Sequence, residues 1–303
     1  MNATRIQTVA PFLVACAAIV WSFDDVLRRE LYTLSPLVLV FLEHLFGLTL
    51  LLLTAPRWLS EIKTVSRKNW MTMTVVAFFS GLLGTVLYTA ALGKVEYIQY
   101  SVVVLLQQLQ PLFVVVLARF MLKEQVNKQF YVWLVLALIG AYLLSFPTLT
   151  LNTQGNTATL LAALMALGAA ACWGSSTVIS KMVLNTTSAL TSTVMRFGLT
   201  TVMAGILVVL LGKTPELLSV TAVQMQAILL IALSAGMVGL LIYYTGLKHT
   251  PARVATLFEL LWPVSAVAID YMYFDKTLTN TQFLGAGLVF FSLWRVQIRR
   301  RST

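Results

Sequence analysis

The chain has 303 residues, 59% hydrophobic and 11% charged, with a net charge of +10. Soluble domains average about 45–50% apolar and ~25% charged residues, so a mean hydropathy of +0.86 excludes an ordinary soluble globular protein. The positive charge does not mark a nucleic-acid binder, because the basic residues sit in short breaks between apolar runs and not on one polar domain.

In chain order the apolar runs cover 8–25, 34–54, 70–91, 98–119, 130–146, 158–180, 188–211, 226–247, 252–273 and 280–298. Each is close to the roughly 20 residues that a helix needs to cross a bilayer. Ser35-Pro36, Pro56, Pro147, the polar stretch 152–157, Thr214-Pro215 and Pro251 punctuate them. The pattern predicts an all-α polytopic membrane protein with ten transmembrane helices and no soluble domain. The first run reads as a spanning helix and not as a cleaved leader.

Orientation follows from the basic residues. With the N-terminus inside, the inner segments hold Arg5, Arg57, Lys63, Arg67, Lys68, Arg119, Lys123, Lys128, Lys181, Lys248, Arg253, Arg295, Arg299, Arg300 and Arg301. The outer loops hold only Arg28, Arg29, Lys94, Lys213 and Lys276, and Arg196 lies within a run. Fifteen against five predicts that both termini are cytoplasmic.

The chain is also written twice. The frame Gly81, Gly84, Tyr88, Leu92 returns 155 positions later as Gly236, Gly239, Tyr243, Leu247. Phe46-Gly47-Leu48-Thr49 recurs as Phe197-Gly198-Leu199-Thr200, and Trp21 and Pro111 have counterparts in Trp173 and Pro263, 152 positions on. Residues 1–150 and 151–303 are therefore expected to be two five-helix repeats. Five is odd, so the second copy enters the membrane the other way up. Inverted repeats of this kind expose a central site to either side in turn.

Several polar and aromatic residues stand out within the spans. Thr256, Glu259, Pro263 and Asp270 form a helical stripe in the ninth run. A carboxylate at the depth of Glu259 is expected to face a bundle interior or a wet cavity, or to pair with a neighbour such as Arg196. Gln107 aligns with Glu259, and Tyr100, Gln108, Gln110 and Pro111 accompany it in the fourth run. Pro111 and Pro263 are candidate hinges. The adjacent Glu43 and His44 form either a proton relay or a satisfied polar pair between helices. Trp21, Trp173 and Trp262, with Tyr88, Tyr100 and Tyr243, make candidate walls of an aromatic cavity. The two glycine frames read equally as helix-packing seams. Asp24-Asp25 with Arg28-Arg29-Glu30 reads as an exposed charged break. Cys16 and Cys172 suit packing, and neither a metal site nor a nucleotide-binding loop is present, so ATP-driven pumping is not expected.

Two inverted five-helix halves, Arg196-Phe197 in the seventh run, Gly246-Leu247-Lys248 with Thr250-Pro251-Ala252 before the ninth, and the Glu259 to Pro263 segment resemble the EamA-type members of the drug/metabolite transporter superfamily. Through its tryptophans and tyrosines the chain looks most like the YddG-type exporters of aromatic and other neutral amino acids. The first copy departs from the family pattern, with Leu45 where Arg196 stands in the second and Gln107 in place of the carboxylate.

The resemblance implies a cofactor-free secondary carrier of a bacterial inner membrane. Its cavity would lie between helices one, three, four, six, eight and nine, with two and seven contributing. The substrate-binding candidates are Trp21, Tyr88, Tyr100, Gln107, Trp173, Tyr243, Glu259 and Trp262. Glu43, His44 and Arg196 are candidate proton-linked groups. Amino acids are the expected cargo, with drug-like cations or a nucleotide sugar as the alternative. An intramembrane enzyme fits less well, because no nucleophile, base or metal ligands cluster at one depth. A scaffold would not need matched inverted halves.

Overall fold

A computed structural model describes residues 3–28, 31–94, 100–146, 157–274 and 277–301. The side chains of residues 3–5, Asp25, Tyr100, Asp270, Tyr273, Phe274, Arg299, Arg300 and Arg301 lie outside the described set. The described residues are helical, without strands. Helix α1 is Ala3–Ser22, continued past Phe23 by Asp24–Arg28, and α2 is Pro36–Leu52. Helix α3 is 67–92, α4 joins Tyr100–Gln107 to Gln110–Met121, and α5 is Lys128–Ser145. The second half repeats the series with α6 Thr157–Leu184, α7 Ala189–Leu210, α8 222–248, α9 from Ala252–Glu259 to Leu261–Phe274, and α10 Asn280–Arg301.

Eight of these stretches are long and apolar enough to cross a membrane, and α2 is a shorter apolar helix. Helices suit this setting because each satisfies its own backbone where no water can. Large side chains such as Leu53, Phe120, Leu210 and Trp294 remain exposed on the outside of the bundle, where lipid tails meet them.

The packing follows the repeat. Helix α2 lies on α7 and α5 lies on α10, each helix against its own counterpart, as a pseudo-two-fold axis requires. Helix α1 crosses over to α8 and α9, and α6 reciprocally to α3 and α4. The α5–α10 crossing depends on Gly140 and Gly285, since a Cβ on either would fall 2.7 Å from the other's carbonyl oxygen. A methyl group there would over-pack the crossing, at a typical cost of about 1–3 kcal/mol. Gln297 Nε2 donates to Thr8 O at 3.0 Å, so the first and last helices meet at one end, called here the terminal end.

Two local irregularities occur in both halves. The middles of α3 and α8, Ala77–Gly84 and Ala232–Gly239, are wound as π-helix. Helices α4 and α9 are interrupted. Proline removes a backbone donor and its ring clashes with the carbonyl four residues earlier. The residue four before Pro111 is Gln107 and the residue four before Pro263 is Glu259, and each is the last residue of its half-helix. Each break therefore falls at the polar side chain upstream of the proline.

Candidate functional site

A cavity of about 210 Å³ lies between the halves and is bordered by α1, α2, α3, α4, α6, α7, α8 and α9. Its volume is just below the ~300–1,000 Å³ usual for small-molecule pockets, so a bulky solute must move the walls apart.

Glu259 anchors one side. Gln110 Nε2 donates to Glu259 Oε2 at 2.5 Å, and Gln107 Nε2 donates to Gln110 Oε1 at 3.1 Å. Tyr243 donates to Glu259 Oε1 at 2.8 Å, and the Tyr243 and Thr177 hydroxyls are 2.8 Å apart. An amide–carboxyl–phenol–hydroxyl series thus joins α4, α9, α8 and α6 across the repeat boundary. Charge-assisted bonds of this kind are stronger than neutral ones, and here they hold the broken ends of α4 and α9 together.

The aromatic walls are built identically in each half. Trp21 Nε1 donates to Ala235 O at 2.9 Å, and Trp173 Nε1 donates to Ser80 O at 3.1 Å. Both acceptors lie in the π-wound segments, where the wider turn lets a carbonyl point outward. Room for the indoles comes from the second glycine of each frame: a Cβ on Gly84 would lie 2.8 Å from Trp173 Nε1, and one on Gly239 would lie 2.9 Å from Trp21 Nε1. Each indole then meets the frame's tyrosine, Trp21 with Tyr243 at 5.0 Å between ring centroids and Trp173 with Tyr88 at 5.2 Å. The glycines thus admit a tryptophan edge from the opposite half.

A second polar group borders the same space. Arg196 Nη1 donates to the Tyr244 hydroxyl at 3.4 Å, and that hydroxyl is 3.1 Å from Ser180 Oγ. His44 Nδ1 lies 2.9 Å from Val40 O, and its ring sits against Phe197 at 4.9 Å. Arg28 Nη2 donates to Glu43 Oε2 at 3.2 Å, and Arg28 Nε donates to Asp24 Oδ2 at 2.6 Å.

The terminal end is closed by contacts that exploit helix dipoles. Glu124 accepts from the backbone N–H groups of Ala252 and Arg253 at 2.7 and 3.2 Å, capping α9, and from Arg253 Nη1 at 3.1 Å. Glu61 accepts from Ser188 N and Oγ, both at 2.5 Å, and from Thr191 Oγ1 at 2.6 Å, capping α7. Partial burial alone would raise the pKa of Glu61, but the Ser188 and Thr191 hydrogen bonds outweigh it and hold the carboxyl below its ordinary value. Lys181 Nζ donates to Leu247 O, Lys248 O and Thr250 O at 2.6, 2.9 and 2.8 Å, placing a cation where the carbonyls of α8 end. Anions at helix N-termini and cations at C-termini are each worth about 0.3–1 kcal/mol.

The structure brings Trp21, Tyr88, Gln107, Trp173, Tyr243, Glu259 and Trp262 to one cavity, together with Glu43, His44, Arg196 and Pro111. Tyr100 begins α4, but its side chain lies outside the described residues, as do those of Asp25 and Asp270. Pro263 stands one turn past Glu259 and does not border the cavity. Two open alternatives resolve and one expectation changes. Glu259 is bonded to Gln110 and Tyr243, and Arg196 goes to Tyr244. Glu43 is paired with Arg28, and its neighbour His44 points elsewhere. Asp24 and Arg28 are not an exposed break, because α8 packs over them and Arg28 is left 5% exposed. Gln110, Thr177 and Tyr244 carry more of the network than sequence reasoning allowed. Their signals were the three glutamines within four residues, the Gly174-Ser175-Ser176-Thr177 face and the doubled tyrosine.

A central cavity between inverted five-helix halves, closed at one end by cross-repeat contacts, defines a membrane carrier. The model of the EamA-like transporter family matches twice, at residues 8–146 and 160–296, and the chain belongs to that family. It is 34% identical over 286 residues to the riboflavin transporter ImpX of Fusobacterium nucleatum subsp. nucleatum, covering 94% of this chain and 96% of that protein. It is 26% identical to the uncharacterized transporter sll1164 of Synechocystis, over 82% of this chain and 72% of that one. A solved crystal structure superposes with a TM-score of 0.75 at 14% identity, covering 98% of this chain and 99% of the other, a likeness of fold alone.

Proposed function

We propose that this EamA-family transporter carries riboflavin or a similar neutral, planar heteroaromatic solute across a bacterial inner membrane, with both termini cytoplasmic. The observation that carries the reading is the pairing of two aromatic walls with one hydrogen-bonding series. Trp21 with Tyr243 and Trp173 with Tyr88 offer stacking faces from both halves, while Gln107, Gln110 and Glu259 offer amide and carboxyl groups to the edge of a ring system. Flat π-systems gain from offset stacking, and convergent polar groups in an otherwise apolar pocket set orientation. Ser176 Oγ, Thr256 Oγ1 and Arg196 Nε are buried without hydrogen-bond partners among the described residues, and they supply further contacts for a solute. The named function of the relative at 34% identity points the same way. The aromatic walls, Glu259 and Gln107 are the proposed solute contacts. Pro111 and Pro263 mark the breaks about which α4 and α9 move.

A second reading, export of aromatic or neutral amino acids, is favoured by one observation: Glu259 and Arg196 border the same cavity, as an ammonium and a carboxylate would require. Purified protein in liposomes, loaded with unlabelled solute and supplied with labelled riboflavin or labelled aromatic amino acids, separates the two. Riboflavin counterflow that unlabelled phenylalanine does not inhibit supports the first reading. Counterflow of amino acids without riboflavin overturns it in favour of the second.

A further inference from the structure

The cavity has a second charged centre that recognition at Glu259 does not use. Asp24 and Arg28 stand one turn apart on the short helix that prolongs α1, and Glu43 lies seven residues into α2, ~10 Å along its axis. One guanidinium serves both carboxylates: Arg28 Nε reaches Asp24 Oδ2 at 2.6 Å, and Arg28 Nη2 reaches Glu43 Oε1 at 3.0 Å. Arg28 and Glu43 are each 5% exposed. With every group ionised the cluster keeps one uncompensated negative charge, a costly state within a span. Asp24 Oδ1 is also buried without a hydrogen-bond donor, and Arg28 Nη1 without an acceptor, among the described residues. A buried acceptor short of a donor is satisfied by a carboxyl O–H, which a carboxylate gains on protonation. A metal cation fits poorly, because hard cations gather six or more oxygens and the guanidinium occupies the space between these carboxylates.

Among the described residues, Arg28 is the cation that these carboxylates bond. On α2, His44 turns its Nδ1 to Val40 O. On α7, Arg196 is bonded to Tyr244. The α8 stretch 222–239 and the α3 stretch Thr85–Leu92, both packed against this region, carry no charged side chain, and Asp25 next in sequence lies outside the described side chains. By the 152 offset that relates the tryptophans, serines 176 and 180 stand at the positions of Asp24 and Arg28, so the centre belongs to one half only.

We infer that Asp24, Arg28 and Glu43 form a proton-binding site that couples proton movement to transport, separate from the solute contacts at Glu259. The step is a proton transfer from cavity water to a carboxylate. Hydronium becomes water, Glu43 becomes a neutral carboxyl, and Arg28 stays with Asp24 as a neutral pair. No bond other than O–H forms or breaks.

Two measurements test this, and only the second rests on the riboflavin reading. Infrared titration of solute-free protein in nanodiscs should show a protonated-carboxyl band that titrates in wild type and in Glu259→Gln, and that is lost in Glu43→Gln. In liposomes, an imposed pH gradient should drive riboflavin accumulation in wild type. Glu43→Gln and Asp24→Asn should cut that accumulation at least about tenfold while leaving riboflavin counterflow intact, since counterflow needs no net proton movement. Accumulation that follows a sodium gradient, an unchanged pH response in Glu43→Gln, or a band that survives in Glu43→Gln overturns the proposal. If wild type shows no riboflavin counterflow, the solute reading fails and the infrared titration alone decides the proton site.

Discussion

Glu61 and Glu216 perform the same task at opposite ends of the molecule. Glu61, in the loop after α2, caps the N-terminus of α7 through Ser188. Glu216, in the loop after α7, accepts from Ser35 N at 3.1 Å at the start of α2. The two glutamates are 155 positions apart, the offset of the glycine frames, so each repeat caps the other's second helix. The α2–α7 pair is therefore fastened at both ends from outside the membrane.

Acid should loosen that fastening. Lys213 and then Ser35 hold the Glu216 carboxyl down to about 2, and Glu61 is likewise depressed. A folded-state pKa below the unfolded value contributes stability that is present above the unfolded pKa and is lost as pH falls through the folded one. The melting temperature in detergent should fall as pH drops from about 5 towards about 2, and the slope should flatten in Glu61→Gln and Glu216→Gln. Water screens the half-buried Glu216, so its share is the smaller. Equal slopes in wild type and the double variant would remove both groups from the pH response.

Gly84→Ala and Gly239→Ala should each displace an indole from its π-helical carbonyl. The new methyl would sit 2.8 or 2.9 Å from the tryptophan nitrogen. A hydrogen bond between membrane helices is worth about 0.6–2 kcal/mol, and steric displacement adds to its loss. Gly287→Ala meets nothing within 4 Å and serves as the control. The check is thermal stability with tryptophan fluorescence, and wild-type values in both cavity variants would show that the indoles are not held there.

Replacing Pro111 or Pro263 with alanine lets the chain close the missing turns at Gln107 and Glu259. Straighter helices should slow solute exchange several-fold while changing binding little, because the change touches bending more than contact. Exchange rates measured against equilibrium binding in the same liposomes will tell. A loss of affinity with unaltered rates would make the prolines site-shaping elements without a role in motion.

Glu259→Gln should weaken solute binding about tenfold, in line with the ~1.5–3 kcal/mol attached to hydrogen bonds with a charged group. Tyr243→Phe should produce part of that loss, since it removes one donor to the same carboxylate and the link to Thr177. Titration calorimetry with riboflavin provides the measurement. If Glu259→Gln binds as wild type does, the glutamate is only a brace between α4 and α9.

Much of the architecture was legible beforehand, because a spanning helix must be apolar for about 20 residues and a duplicated chain displays its own offset. Most of the cavity residues were legible too, since Glu259, Gln107 and the tryptophans are conspicuous in apolar runs. The π-helical winding was not, because the indoles that bond its carbonyls come from the other half. The burial of Arg28 was hidden for a similar reason: a charged cluster at a helix end reads as solvated until α8 is laid over it. The Glu61–Glu216 equivalence was available in the 155 offset but lies in polar loops, where a lone glutamate carries no pattern.

Among the described residues, the cap that Glu124 places on α9 has no twin. Counting forward by the 152 that separates the two prolines leads from Glu124 to Lys276, a residue of the sign that a helix N-terminus disfavours. Were the repeats chemically identical, the two facing directions of this carrier would be equally populated mirror images. A chemical difference between the copies, such as Glu124 against Lys276, lifts that degeneracy, and each 1.4 kcal/mol of imbalance is roughly a tenfold preference for one facing over the other. Opening the terminal end must break the bonds from Glu124 to Ala252 and Arg253, so whatever drives the cycle works first against a single acidic side chain.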